Sequence, residues 1–120
     1  MIILHGRPTT KKNSSRVVRC GKLTKVLPSK AYEGYEEDCL WQLKSCREKY
    51  EGPVRIKVLY WMRDRRSWPD LVGLMQATAD ILEKAGVIDN DKNIVSWDGT
   101  HIVGVDRSKP RALIEIEKAV

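Results

Sequence analysis

From Val54 to Met62 the chain alternates without interruption: Val54, Ile56, Val58, Tyr60 and Met62 fall on one side, Arg55, Lys57, Leu59 and Trp61 on the other. Successive side chains of an extended backbone point to opposite faces, so this pattern specifies a half-buried strand. Its apolar face needs a cover. After the charged connection Arg63-Asp64-Arg65-Arg66, residues Leu71, Leu74, Met75, Thr78, Ile81, Leu82 and Ala85 recur at three- and four-residue steps, one packing stripe of a helix. A half-buried strand followed by an amphipathic helix restricts the chain to folds in which helices cover a sheet.

The helix is expected at about 68–85, with Ser67 as N-cap, Asp70 three residues on at capping-box spacing, and an Ala85-Gly86 exit. An earlier helix is expected at about 30–50. Pro28-Ser29 caps it, Tyr32, Tyr35, Cys39, Leu40, Leu43, Cys46 and Tyr50 form its buried face, and Gly52-Pro53 stops it. Ile2 to His5 reads as a first strand, and Arg16–Cys20 and Leu23–Leu27 as a hairpin about Gly21-Lys22. Asn93–Asp98 and Ile102–Val105 read as two strands around Gly99-Thr100, and Ala112, Ile114 and Ile116 mark a last one. The polar, basic stretch Thr9 to Arg16 reads as a loop or arm. The expected fold is α+β: one domain over residues 1–120, a mixed β-sheet with two α-helices packed on one face.

At 120 residues there is room for one core. No apolar run approaches the roughly 20 residues that span a bilayer. Met1-Ile2-Ile3-Leu4-His5 lacks the basic and small-residue features of a signal peptide, so a cytoplasmic location is expected, in a bacterial or phage-infected host cell. Cys20, Cys39 and Cys46 form no CxxC pair and offer no suitable zinc spacing with His5 or His101, which points to reduced, mostly buried thiols.

The acidic residues carry the chemistry. Asp70 starts the second helical pattern, and Asp89-Asn90-Asp91 follow its exit, so a chain that folds back brings the two clusters together. Convergent carboxylates within a chain of net charge +6 point to a divalent-metal site set in basic surface, the combination phosphodiester cleavage needs. Each acid also has a structural reading. Asp70 suits a helix cap, Asp89 and Asp91 a solvated turn, and Asp80 a surface pair with Lys84 four residues on.

The run Arg65-Arg66, Asp70-Leu71, Leu74, Ala77, Asp80, Leu82, Lys84-Ala85-Gly86 and Asp91, followed by Ile94-Val95, resembles the RusA-type Holliday junction resolvases. The likeness is specific over about residues 63–97 and extends more loosely to Gly6-Arg7-Pro8, Lys11-Lys12 and the last strand. It implies a homodimeric, Mg²⁺-dependent endonuclease, with Mn²⁺ as a substitute, that cuts four-way DNA junctions by paired nicks. The family's usual motif is Asp-Leu-Asp-Asn-Leu, with a lysine four residues after the second Asp and a further acid after the helix. The resemblance places the first catalytic acid on Asp70 and the post-helix acid on Asp91. It places the second acid on Val72, the Asn on Gly73 and the lysine on Gln76, three departures from the pattern. Asp89 or Asp98 are the candidates for the missing carboxylate, and Gln76 for positioning a phosphate or water. The order for metal ligation is Asp70, Asp91, Asp89, Asp98.

Lys11, Lys12 and Arg16 in the early loop, and Arg63, Arg65 and Arg66 before Asp70, read as phosphate contacts, with Arg107, Lys109 and Arg111 as a weaker third cluster. Trp68 suits helix-start packing or stacking on a base, and Trp41 or Trp61 a dimer contact. Two other functions fit the same residues: a junction-binding protein that has lost cleavage, and a metal nuclease for forks, flaps or RNA.

Overall fold

The structure is a computed structural model that describes residues 1–11, 16–21, 23–27, 29–66 and 68–119, with the backbone alone for 16–20 and 23–27. Among these residues the elements run β1 (Ile2–His5), β2 (Arg16–Cys20), β3 (Leu23–Leu27), α1 (Lys30–Leu43), β4 (Val54–Met62), α2 (Leu71–Lys84), a single 3₁₀ turn (Asp91–Asn93), β5 (Ile94–Ser96), β6 (His101–Val105) and β7 (Arg111–Lys118).

The alternating strand is the centre of the molecule. β4 pairs antiparallel with β7 along one edge, and β7 pairs antiparallel with β1. Along its other edge β4 takes two short parallel partners, β5 near its start and β6 near its end. Register aligns the apolar residues: Val58 lies opposite Ile114 and Tyr60 opposite Ala112, while Ile2 and Leu4 lie opposite the same two β7 residues. Val54, Ile56, Val58, Tyr60 and Met62 are all buried, together with Ile2, Leu4, Ala112 and Ile114. Cys39 and Leu43 of α1 and Leu74, Ile81 and Leu82 of α2 complete that cluster, so both helices cover one face of the five-stranded mixed sheet. β2 and β3 form a separate hairpin, with Arg16 opposite Leu27.

Three boundaries differ from the sequence expectation. α1 ends at Leu43, not near residue 50. Cys46 and Tyr50 still reach the core, but as extended chain: Tyr50 bridges Ile88 and its N–H donates to Val87 O at 2.8 Å. Pairing with residues 87–88 requires a straight backbone there and overrides the helical period. Ser29 is the N-cap of α1 as expected, its Oγ accepting from Tyr32 N at 3.0 Å.

α2 starts three residues later than expected. Its N-cap is Asp70, with φ −70° and ψ 150°, and Leu74 N donates to Asp70 O at 3.1 Å. Trp68 precedes a proline, which disfavours helical backbone at that position. Ser67, the expected cap, lies outside the described residues. The other end closes as expected: Gly86 has φ +76°, Val87 N donates to Leu82 O at 2.9 Å and Gly86 N to Glu83 O at 3.0 Å. This Schellman pair needs the left-handed backbone that glycine adopts without strain. The third difference is β5, which ends at Ser96 and leaves Asp98 in the following turn.

Among the described residues no helix is long and apolar enough to cross a membrane. Cys39 is fully buried and burial pushes its thiol up to about 12, so it is a neutral core side chain. Cys39 and Cys46 are both free.

Candidate active site

Asp70 is exposed at the mouth of α2 and, although it is the N-cap, its carboxylate makes no capping hydrogen bond. Gly73 explains where that carboxylate goes. A Cβ at position 73 would lie 2.6 Å from Asp70 Oδ1 and 3.2 Å from the methyl of Thr10. The carboxylate therefore folds back over the first turn, into the space that any side chain at 73 would take. Thr10 is buried and borders the same space, and its hydroxyl has no hydrogen-bond partner among the described residues. Thr10 and Gly73 are positions of the candidate site that sequence reasoning missed. The signal available was a glycine inside a strong helical stripe, where it costs about 1 kcal/mol relative to alanine.

Asp91 opens the 3₁₀ turn beyond the α2 exit, and Glu83 of α2 fixes it by accepting from Asp91 N at 3.1 Å. With Val72, Met75, Gln76, Ala79, Ile94 and Trp97, Asp91 lines a hollow of about 200 Å³. A smaller one of about 110 Å³ is lined by Thr10, Lys11, Val72, Gly73, Gln76 and Ala77. Val72 and Gln76 line both and so form the ridge between them. Val72 is 66% exposed, an apolar side chain presented to solvent two residues after Asp70.

The chain's return past Gly86 thus delivers Asp91 to the α2 face that carries Val72 and Gln76, while Asp70 flanks the same ridge. The other two candidate acids go elsewhere. Asp89 Oδ2 accepts from Gly52 N at 3.3 Å, and Asp98 lines a separate hollow with Arg55, Lys57, Ser96, Glu115 and Glu117. No three His, Cys, Asp or Glu residues form a metal-binding group among the described residues.

A family model described as endodeoxyribonuclease RusA matches residues 5–117. The chain belongs to the RusA family. No match was found among curated proteins. RusA membership makes the chain a DNA endonuclease of the Holliday junction resolvase family, and it bears out the resemblance that rested on residues 63–97.

Within this RusA domain the basic residues fall into two groups. Lys11 Nζ pairs with Asp80 Oδ2 at 2.8 Å, and Gln76 Nε2 reaches Asp80 Oδ1 at 3.5 Å. The expected Asp80–Lys84 pair does not form, because Lys84 instead pairs with Glu36 of α1 at 2.9 Å. Helix neighbours four apart are available to each other, but partners from other elements take both residues. Arg111 pairs with Asp106 at 2.9 Å and lies 4.0 Å over the Trp61 ring. The Arg111 hydrogen bond holds the Asp106 carboxyl below its usual range, so Arg111 braces the β6–β7 loop and Trp61 is covered.

Arg63, Arg65 and Arg66 are exposed between β4 and α2. Asp64 shapes that loop: its Oδ1 accepts from Arg66 N at 2.9 Å and its carbonyl from Trp68 Nε1 at 2.6 Å. Lys12 and the side chain of Arg16 lie outside the described residues.

Proposed function

We propose that this RusA domain resolves four-way DNA junctions by Mg²⁺-dependent paired nicking, with Asp70 and Asp91 as the metal-holding carboxylates. The observation that carries the reading is the shared ridge: Asp91 lines a hollow with Val72 and Gln76, and Asp70 flanks Val72 at the helix start. These are the α2 positions on which the family motif falls.

The donor set fits a hydrated Mg²⁺ and not a closed protein cage. Mg²⁺ uses one or two carboxylates and keeps several waters or substrate oxygens, which two acids without a third companion provide. When bound, the ion supplies an activated water and offsets charge on the phosphoryl oxygens.

The chain's own residues do the rest. Gly73 leaves room for the Asp70 carboxylate to fold back, Glu83 fixes the backbone that carries Asp91, and Gln76 offers an amide to a phosphate oxygen or water. Lys11, Lys12 and Arg16, with Arg63, Arg65 and Arg66, supply salt-dependent affinity for the DNA backbone. Asp89, held at Gly52 N, shapes the turn, and Asp98 faces a separate hollow, so the metal role rests on Asp70 and Asp91. Paired nicks need two sites, hence two copies of the chain. Trp41, 69% exposed beside Lys44, is the apolar contact such a dimer would cover. The setting is the cytoplasm, where junction DNA is found.

A second reading has its own support. Val72 leaves the ridge without a second α2 acid, which favours a junction-binding relative that does not cut.

The test is a labelled mobile four-way junction incubated with wild type, Asp70→Asn or Asp91→Asn, in Mg²⁺, Mn²⁺ or EDTA. Metal-dependent paired nicks lost in both variants are expected. Junction binding without nicks in either metal overturns the enzyme reading. Faster cutting of forks, flaps or RNA than of four-way junctions reassigns the substrate.

A further inference from the structure

We infer that Arg63, Arg66, Arg107 and Trp68 form a subsite for one unpaired DNA nucleotide, the arginines taking its phosphate and the indole its base. This rests on the reading of the chain as a DNA nuclease, and it assigns to these residues the recognition of strands that have left the duplex.

The residues converge because of topology. β4 and β6 are parallel neighbours with Met62 opposite Val105, so the loops that leave them emerge together at one end of the sheet. Arg63, Asp64 and Arg66 from the first loop and Arg107 from the second line a hollow of about 390 Å³. Its charge is positive on balance, three arginines against the one carboxylate of Asp64. Among the described residues no carboxylate pairs with Arg63, Arg66 or Arg107, whereas Lys11, Arg55, Lys84 and Arg111 each have an acidic partner. Asp64 accepts from the Arg66 backbone N–H through Oδ1, so it shapes the loop and forms no ion pair with these arginines among the described residues.

Three guanidinium groups against one carboxylate leave the hollow a net attraction for an anion, and guanidinium forks suit the oxygens of a phosphodiester. The aromatic part lies outside the lining but is tied to the loop that supplies it. Trp68 is 42% exposed, yet its Nε1 donates to Asp64 O at 2.6 Å, so the indole is held on the loop that lines the hollow. A base stacks on such a ring without regard to sequence, but only where its face is free. Bases inside a duplex have no free face. Strands at a branch point do. Asp70 follows Trp68 by two residues, so a nucleotide held here is held at the threshold of the carboxylate site.

The full chain in EDTA, titrated with a short single-stranded oligonucleotide carrying one 2-aminopurine, tests the subsite apart from cleavage. Saturable quenching of 2-aminopurine is expected. Trp68→Ala should abolish the quench and weaken binding roughly 5- to 160-fold, the range for one stacked base. Arg66→Ala or Arg107→Ala should each lower the salt dependence of binding by roughly 0.7. Arg55→Ala, whose partner is Glu117, should leave both readouts unchanged. Arg107→Lys keeps the charge and guards against misfolding: it should bind between wild type and Arg107→Ala.

Absence of quenching, equal losses in Arg107→Ala and Arg55→Ala, or full competition by millimolar inorganic phosphate with no contribution from Trp68 each overturn the nucleotide subsite. A wild type that quenches the oligonucleotide but leaves four-way junctions uncut supports the subsite and refutes resolution. Cut junctions without quenching do the reverse.

Discussion

The two ends of α2 are built on opposite terms. In its second half Thr78, Ala79, Ile81 and Leu82 are all buried, and the Schellman turn at Gly86 satisfies the last carbonyls. In its first half Asp70 and Gln76 are exposed, Val72 is 66% exposed, the cap makes no side-chain bond, and a glycine takes the third helical position. Each of the last two choices costs about 1 kcal/mol relative to the ordinary one. One end is optimised for packing. The other gives up local stability to seat a carboxylate over its own first turn, and such local conflicts are where functional sites are expected.

If that division is right, substitutions at the two ends should separate activity from stability. The largest effect belongs to the open end: Asp70→Asn and Asp91→Asn should each lower single-turnover nicking on the order of 10³-fold, the loss of several kcal/mol of metal-borne stabilisation. Their urea midpoints should match wild type, since neither carboxylate makes a hydrogen bond among the described residues. Nicking within tenfold of wild type would remove the open end's claim to chemistry.

Leu82→Ala, at a fully buried position of the packed end, should cost roughly 2–5 kcal/mol in urea unfolding while the folded fraction cuts at the wild-type rate. Gly73→Ala sharpens the contrast because its two effects have opposite signs. Helix propensity rises by about 1 kcal/mol, but the new Cβ meets Asp70 Oδ1 at 2.6 Å. Stability should hold or rise while nicking falls roughly 10²-fold, the scale for misplacing a reacting group by about 1 Å. A Gly73→Ala enzyme of normal rate would show that Asp70 is not seated by the glycine.

Smallest is Thr78→Val. Tyr60 OH donates to Thr78 Oγ1 at 2.7 Å, and Thr78 donates onward to Leu74 O at 2.8 Å. Removing the hydroxyl strands a buried phenol and should cost about 1–3 kcal/mol in urea unfolding, with no change in nicking per folded molecule.

The strand β4 and the stripe of α2 were legible because burial writes its period directly into sequence. The same cause misplaced the end of α1: Cys46 and Tyr50 continue the helical spacing, yet reach the core from extended chain beside Val87 and Ile88. Periodicity records which residues are buried, not which backbone carries them. Ser67 and Asp70 matched a capping box by spacing alone, while Pro69 moved the helix start to Asp70 itself. Asp70, Gln76 and Asp91 were recoverable as a group because the motif and the Ala85-Gly86 exit are local. The seat that Gly73 and Thr10 make for Asp70 was not, since it joins residues far apart in the chain. Lys11 was expected to face DNA directly, and its bond to Asp80 shows a cation already oriented within the protein.

The pairing of β4 with β7 also sets the order in which this molecule can become dangerous to DNA. Residues 54–61 must find residues 111–118, and until they do, β4 lacks its long antiparallel neighbour and β1 has no strand to join. Contacts so distant in sequence form late, after the cost of closing the intervening loop has been met. The segment between them holds Asp70, Asp91 and the arginine loops. The fold therefore delays assembly of the candidate site until residues 111–118 have been synthesised, so that a fragment ending before them carries the acids and the basic residues without the sheet that aims them.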